Sequence, residues 1–150
     1  MRNKNKGFTL IELLVVIAII GLLASVVLLA LNGARAKARD AKRIADIRQM
    51  ASAMELYFND VNGYPTQATA GVMGVAAALG QPPINPNYIG MIPTAPTPAD
   101  GSCTATTNSY TWVGTNSTTL TNVYTITFCL GGATGGYSAG VHTLTPAGIQ

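Results

Sequence analysis

The stretch KGFTLIELLVVIAIIGLL, residues 6–23, sets a single carboxylate near the start of an apolar run. The run continues to Leu31, and its only polar side chains are Thr9, Glu12 and Ser25. As an α-helix this run would extend about 36 Å, enough to cross a bilayer core of about 30 Å. A charge at the bilayer centre costs about 2.5–3.5 kcal/mol on insertion scales, so the carboxylate needs a physical explanation.

The charged residues are distributed unevenly along the chain. All nine Lys and Arg lie at or before Arg48, and the rest of the chain carries only Glu55, Asp60 and Asp100. Charged residues make up 10% of the sequence, where about 25% is usual. Low charge with high apolar content favours a membrane segment or a packed assembly. A nucleic-acid surface on the folded part would need Lys or Arg, which that part lacks.

A second helical pattern follows the apolar run. Apolar residues recur at spacings of three and four along one stripe, which is typical of an amphipathic helix: Ile44, Ile47, Ala51, Met54, Phe58 and Val61. Because no proline precedes Pro65, we predict one helix from about Phe8 to Asn62, ended by the sequence NGYPT. Opposite charges on another side of it would pair at a few tenths of a kcal/mol each: Lys37, Asp40, Lys42, Arg43 and Asp46.

The remainder of the chain is predicted to form loops and strands. Residues 67–81 are interpreted as a short helix or an apolar loop, and QPPINPNYIGMIPTAPT, with five prolines, as a loop. Alternating β-branched and aromatic residues predict antiparallel strands at 109–114 and 122–131, joined by a hairpin loop. GGATGG (131–136) is a turn, and AGVHTLTPAGIQ (139–150) supplies a last strand. A long helix packed on a small antiparallel sheet is an α+β architecture.

The two cysteines, Cys103 and Cys129, lie behind the apolar segment. This arrangement favours a disulfide in an oxidising compartment over two free buried thiols. In the chain-entropy model, a disulfide that closes a loop of this length stabilises the folded state by about 3.5 kcal/mol.

Residues for catalysis, metal binding or cofactor binding are not found in a usable pattern. The only histidine, His142, has no acid near it in sequence, and no His or Cys pair has metal-ligand spacing. GATGGYSAG lacks the lysine and the context of a phosphate loop. We therefore predict no catalytic residue, no cofactor and no metal. The aromatic residues of the predicted strands could line a ligand groove, but their same-face spacing favours a core: Tyr110, Trp112, Tyr124 and Phe128.

The basic leader followed by GFTLIELLVVIAIIGLLAS resembles the N-terminus of type IV pilins and of the pseudopilins of type II secretion, over residues 4–27. YFNDVNGYPT and, more loosely, YIGMIPTAP are similar to the family further on. The resemblance implies that Gly7 is the last leader residue, cut by a prepilin peptidase, and that Phe8 is then N-methylated. It implies that Glu12 assists assembly by meeting the N-terminal amine of a neighbouring subunit.

The resemblance also implies a division of the chain. Residues 1–7 would be the leader, 8–31 the transmembrane and assembly half of the helix, 32–62 its amphipathic half and 63–150 the sheet domain. The function implied is a structural subunit that self-associates into a helical filament, either a type IV pilus or a secretion pseudopilus. The implied partners are the peptidase, an assembly platform with its separate ATPase, membrane lipid before assembly, and nucleic acid in a competence-type pilus. A protein from another class, an uncleaved membrane-anchored binding domain, would share the span and the sheet.

Three features depart from the family or from general rules. Leu29 stands where many members have a proline, and Ala95 where an Asp is frequent. Asp100 stands alone in sequence, which argues against the calcium site of some pseudopilins. Three cations precede the span and six follow it, so the positive-inside rule places the sheet domain in the cytoplasm, whereas the resemblance implies the outside. Asn116-Ser117-Thr118 forms a glycosylation sequon.

Overall fold

The computed structural model of the chain describes residues 8–65, 71–72, 87–113 and 123–150. Its first element is helix α1, Leu10–Val61, which confirms the single long helix expected from the sequence. The helix ends because Asn62 adopts a positive φ of 58°, with its N–H donating to the Phe58 carbonyl at 2.8 Å. A left-handed Asn or Gly directly after the last turn is a common helix stop, and Pro65 prevents its continuation.

The strands form one antiparallel sheet in which neighbours in sequence are neighbours in space. They are β1 (Gly71–Val72), β2 (Thr111–Val113), β3 (Thr125–Leu130), β4 (Gly140–Thr145) and β5 (Gly148–Ile149). The central strand, β3, pairs Trp112 with Ile126 on one side and Phe128 with His142 on the other. The α+β class predicted from the sequence is confirmed.

Two details of the strand prediction were wrong. Gly71 and Val72, expected in a short helix or loop, form β1, and the C-terminal stretch makes two strands instead of one. The second strand arises because Gly148 has a positive φ of 112°, which lets the chain turn back so that Leu144 pairs with Ile149. The predicted hairpin loop, the sequon and most of 67–86 lie outside the described residues.

The core lies between the second half of α1 and the sheet. The aromatic residues of the strands belong to it, with Tyr110, Trp112, Tyr124 and Phe128 at most 3% exposed. Trp112 stacks on Tyr124 at 5.5 Å between ring centroids. These side chains therefore pack the core and do not line a groove.

The buried face of α1 is wider than the predicted stripe. Ile44, Ile47 and Met54 are buried as expected, but Ala51, Phe58 and Val61 are only half-buried. The sequence pattern missed three buried positions: Met50, Ala53 and Tyr57. The reason is that a loop covers the helix in addition to the sheet, as shown by the edge-on contact of Tyr57 with Tyr88 at 5.3 Å between ring centroids.

The chain divides into two compact units, Met1–Arg35 and Ala36–Gln150. In the first, every described side chain is exposed, including those of the apolar run. α1 is also the one helix in the described part of the chain that is long and apolar enough to cross a membrane. The second, which we call the head, contains the core and the sheet. The residue boundaries of the four predicted segments remain a prediction.

Candidate processing and assembly site

The first turn of α1 is closed by a reciprocal pair of side chains. The Glu12 carboxylate accepts hydrogen bonds from the Thr9 backbone N–H at 2.8 Å and from the Thr9 hydroxyl at 2.6 Å. In return, the Thr9 hydroxyl oxygen accepts from the Glu12 N–H at 3.3 Å. This is a capping box, which satisfies donors at the helix start that have no partner inside the helix. The motif T-x-x-E was visible in the sequence and was overlooked because Glu12 was considered only as a charge.

The residues around this cap are exposed and apolar. Phe8 and Leu10 are 83% and 82% exposed, and Ile11 is 69% exposed. The site thus combines an exposed Phe8, a carboxylate four residues later, and an apolar surface with nothing packed on it in the single chain. Gly7, the predicted cleavage residue, lies outside the described residues.

In the head, Arg43 occupies a cage of oxygen atoms contributed by distant parts of the chain. Its guanidinium donates to Asp40 at 2.6 Å and to Asp100 at 2.9 Å. It also donates to the Asn108 side chain at 2.7 Å and to the Pro96 carbonyl at 3.4 Å. The Arg43 side chain is 1% exposed, so its charge is buried and depends on these partners.

The acids of this cage have further partners. Asp40 accepts from the backbone N–H groups of Gly131 and Gly132 at 2.8 and 2.9 Å, which ties the helix to the connection after β3. Asp100 also accepts from Arg39 at 2.7 Å. Gly101 is required next to it, because it has a φ of +55° and a Cβ there would overlap the Gly131 carbonyl.

A third acid of the helix, Asp46, is buried beside this cage. Asp46 accepts from the Tyr110 hydroxyl at 2.9 Å and from Lys42 at 2.7 Å. Burial, together with this hydrogen bond, raises the pKa of Tyr110 well above its ordinary value. Tyr110 therefore stays neutral and serves as a hydrogen-bond donor across the physiological pH range.

The predicted pairing of Asp40 with Arg43 and of Lys42 with Asp46 is confirmed. The few tenths of a kcal/mol expected for such pairs does not apply, however, because Asp40, Arg43 and Asp46 are buried. All three are at most 8% exposed. Asp100, which has no other acid near it in sequence, is paired in the structure with Arg39 and Arg43. Sequence spacing reveals partners three or four residues apart, whereas these partners are up to 92 residues apart. Since both arginines already neutralise Asp100, its carboxylate is not free for a cation.

The predicted disulfide is present between Cys103 and Cys129, with 5.8 Å between their Cα atoms. It joins the loop that holds Asp100 to β3, which leads into Gly131. The bond and the Arg43 cage therefore hold the same two chain segments together. The ring nitrogens of His142 lie 2.8 Å from the Ser138 backbone carbonyl and 3.2 Å from that of Gln150. Among the described residues, no group of three metal-ligating side chains is found.

The Asp100 carboxylate makes the head sensitive to acid. Burial raises the pKa of Asp100, but hydrogen bonds and attraction from Arg43 and Arg39 together outweigh burial and hold it below its usual value. Its stabilising effect is therefore complete above the unfolded-state pKa of about 4 and is lost as the pH falls through the lower folded-state pKa. We expect the difference in unfolding free energy between wild type and Asp100→Asn to shrink below about pH 4. Urea titrations followed by Trp112 fluorescence between pH 7 and pH 2 measure this difference. A constant difference across that range would contradict the role of the Asp100 charge.

Comparison with known proteins supports the interpretation of the N-terminus. Residues 2–28 match the family described as the prokaryotic N-terminal methylation motif. The chain is 41% identical over 86 residues to type II secretion system core protein G of Escherichia coli. This aligned segment covers 57% of this chain and 59% of the relative. It is 46% identical over 70 residues to the type IV wide pilus major component PilA4 of Thermus thermophilus, covering 47% and 53%. No solved structure matches the chain significantly.

The fold and the N-terminal site define a class of protein, an α+β head on a long helix whose first part is exposed and apolar. The chain carries the N-terminal methylation motif and is similar, over part of its length, to type II secretion system core protein G and to a type IV pilus component. It spans little more than half the length of these curated relatives, at 59% and 53%.

Proposed function

We propose that this chain is a prepilin that is cut between Gly7 and Phe8, methylated at Phe8 and polymerised through residues 8–31 into a pilus or pilus-like filament. The observation that carries the proposal is the exposed apolar stretch that starts at Phe8, continues along α1 and contains one carboxylate, within a matched methylation motif. About 25 cal/mol is gained for each Å² of apolar surface removed from water. After leaving the lipid, this surface is covered only when other copies pack on it.

Mass spectrometry of the N-terminus in membrane and sheared surface fractions tests the proposal. A chain that begins at methylated Phe8 in the sheared fraction supports cleavage, export of the head and polymerisation together. An intact leader in cells with active prepilin peptidase would refute the proposal. It would favour the alternative from another class, an uncleaved membrane-anchored binding domain.

Glu12 has two separable roles, because it both caps its own helix and carries a charge. We propose that the charge pairs with the amine freed at Phe8 of a neighbouring copy, since an opposite charge offsets the cost of a carboxylate in an apolar bundle.

Glu12→Ala is therefore expected to leave leader removal intact and to reduce filament yield at least tenfold, since a loss of 1.4 kcal/mol per contact already gives a factor of ten. Glu12→Gln is the matched control, because it keeps an oxygen acceptor for Thr9 and removes only the charge. If the charge matters, both variants fail to assemble. Normal filaments from Glu12→Gln would show that Glu12 contributes to assembly through the helix cap and not through its charge.

The second candidate function is that of a secretion pseudopilin, favoured by the similarity of the chain to core protein G of several bacteria. The relatives' names do not decide between the two, because a pilus major component matches with a higher percentage of identical residues over a shorter segment. Methylated Phe8 found only in membranes favours the pseudopilin or a minor pilin. Abundant methylated chain in the sheared fraction favours the pilus.

We propose that the head faces away from the cytoplasm. The positive-inside rule opposes this with six cations after the span, but Arg39, Lys42 and Arg43 are in ion pairs with acids of the head. The exposed cations without an ion pair in the described part of the chain are Arg35, Lys37 and Arg48, equal in number to the three in the leader. The disulfide also supports an oxidising compartment.

The proposed role is mechanical and does not include catalysis. Lipid surrounds residues 8–31 before assembly, the peptidase acts at Gly7, and an assembly platform with its own ATPase extrudes the subunit. The head has few exposed cations, so nucleic acid is a partner only in a competence-type pilus. Adhesion, motility, DNA uptake and secretion are the tasks to which such a filament would contribute.

A further inference from the structure

The head has an unusual distribution of free charge. Of the six acids in the chain, Asp40, Asp46 and Asp100 are held in internal ion pairs, and Glu12 lies in the apolar run. Only Glu55 and Asp60 remain as exposed acids of the head. The other charged side chains of the head are in ion pairs. The charged side chains of the head without an ion pair, which we call its free charges, therefore all lie on α1.

These free charges are sorted by sign along the helix. Exposed Lys37 and Arg48 come first, and exposed Glu55 and Asp60 follow. Lys37, Arg48 and Glu55 are separated by about three and two helical turns, so they lie on one face, which we call the charged row. Neither cation of the row makes an ion pair in the part of the chain that the structure describes, and only one oxygen of Glu55 is used, by the Tyr64 hydroxyl at 2.8 Å.

We propose that the charged row is a contact surface for a second copy of this chain, aligned parallel and shifted along the helix axis, with Arg48 of one copy paired with Glu55 of the next. At about 1.5 Å per residue, a shift of roughly 10 Å brings Arg48 level with Glu55, and a shift of roughly 27 Å does the same for Lys37. Without a shift, like charges of two parallel copies lie opposite each other and repel. The row therefore favours staggered over level packing, which is the arrangement that a helical polymer needs.

The charges on the head are more complementary to another copy of this chain than to a partner whose surface is uniformly acidic or uniformly basic. An acidic partner would be repelled by Glu55 and a basic one by Arg48, whereas a shifted copy satisfies both. The neighbouring exposed positions carry Ala41 and Ala45, short side chains that allow a second helix to approach. This inference rests on the proposed filament function and names the surface that sets the stagger.

Charge reversal tests the pairing. We expect Arg48→Glu and Glu55→Arg each to lower the yield of sheared filaments about tenfold, and the double variant to restore it to within twofold of wild type. Co-expression of the two single variants is also expected to restore filaments, because alternating copies then present opposite charges. Gln49→Glu is the matched control, since it adds an acid beside Arg48 but off the row, and its yield should stay near that of wild type. Single variants that assemble normally, or a double variant that fails while its leader is removed and its Trp112 fluorescence is unchanged, would overturn the proposal.

A cross-linking readout separates this inference from the filament function itself. Chains carrying R48C and E55C are co-expressed and treated with a short bis-maleimide, the native cysteines being held in their disulfide. A heterodimer adduct in membranes or filaments supports the charged row, and its absence overturns it. A wild-type chain that keeps its leader and forms no filaments overturns the proposed function whatever the adduct shows.

Discussion

Replacing Arg43 with methionine is expected to lower the free energy of unfolding of the head by about 3–5 kcal/mol. Methionine fills similar space but leaves Asp40 facing no cation and Asp100 with Arg39 alone. Removing one partner of a buried ion pair costs far more than removing an exposed one, because the remaining charge stays desolvated. For a domain of this size the loss corresponds to about 10–20 °C in melting temperature.

The measurement is thermal and urea unfolding of the full chain in detergent, followed by the fluorescence of Trp112, the only tryptophan and fully buried. Lys37→Met is the matched control, since Lys37 is exposed on the same helix without an ion pair, and its change should stay within about 0.5 kcal/mol. Adding Asp40→Asn to the methionine variant should recover part of the loss, because it removes the charge that is left without a cation. A loss below about 1 kcal/mol for Arg43→Met would mean that the cage behaves like a surface ion pair.

Removing the disulfide by replacing both cysteines with serine is the second large effect expected. The bond closes a loop between residues 26 positions apart, and the chain-entropy model assigns it about 3.5 kcal/mol. Both cysteines are buried, so the serine hydroxyl groups that replace them are also buried and add a desolvation cost. We expect the midpoint of urea unfolding to fall accordingly, with Trp112 fluorescence again reporting on the head.

The double alanine variant is the control for the added hydroxyl groups, because alanine removes the bond without introducing a polar group. If loop closure dominates, the serine and alanine variants lose similar stability, and wild type under reducing conditions falls to the same level. Since the bond and the Arg43 cage restrain the same segments, the two losses should not add: removing both should cost less than the sum of the single losses. Strict additivity would show that the two restraints act independently.

The long helix of this protein could be predicted almost completely from its sequence. The apolar run, the uninterrupted helix to Val61 and its stop at Asn62 depend on local spacing, hydrophobicity and the backbone preferences of Asn, Gly and Pro. The cap between Thr9 and Glu12 is also local and was open to prediction. The strands around Trp112 and Phe128 followed from alternation of polar and apolar residues, although their ends did not.

The buried ion pairs of the head could not be predicted in the same way. A sequence shows Asp40 and Arg43 three residues apart but does not show that Asp100, Asn108 and the Gly131 backbone close over them. Whether a charge is solvated or buried depends on which distant segments cover it, and burial changes the cost of losing one partner severalfold.

The sequence by itself therefore determined the class of protein, because the membrane-length helix, its carboxylate and the methylation motif are properties of consecutive residues. The tertiary structure decided which charges are available to other molecules. Six of the charged side chains of the head are neutralised internally, and this leaves a short row on α1 sorted by sign. The physical reason is that hydrophobic periodicity acts between near neighbours in sequence, whereas the pairing and desolvation of charges depend on the folded arrangement of the whole head.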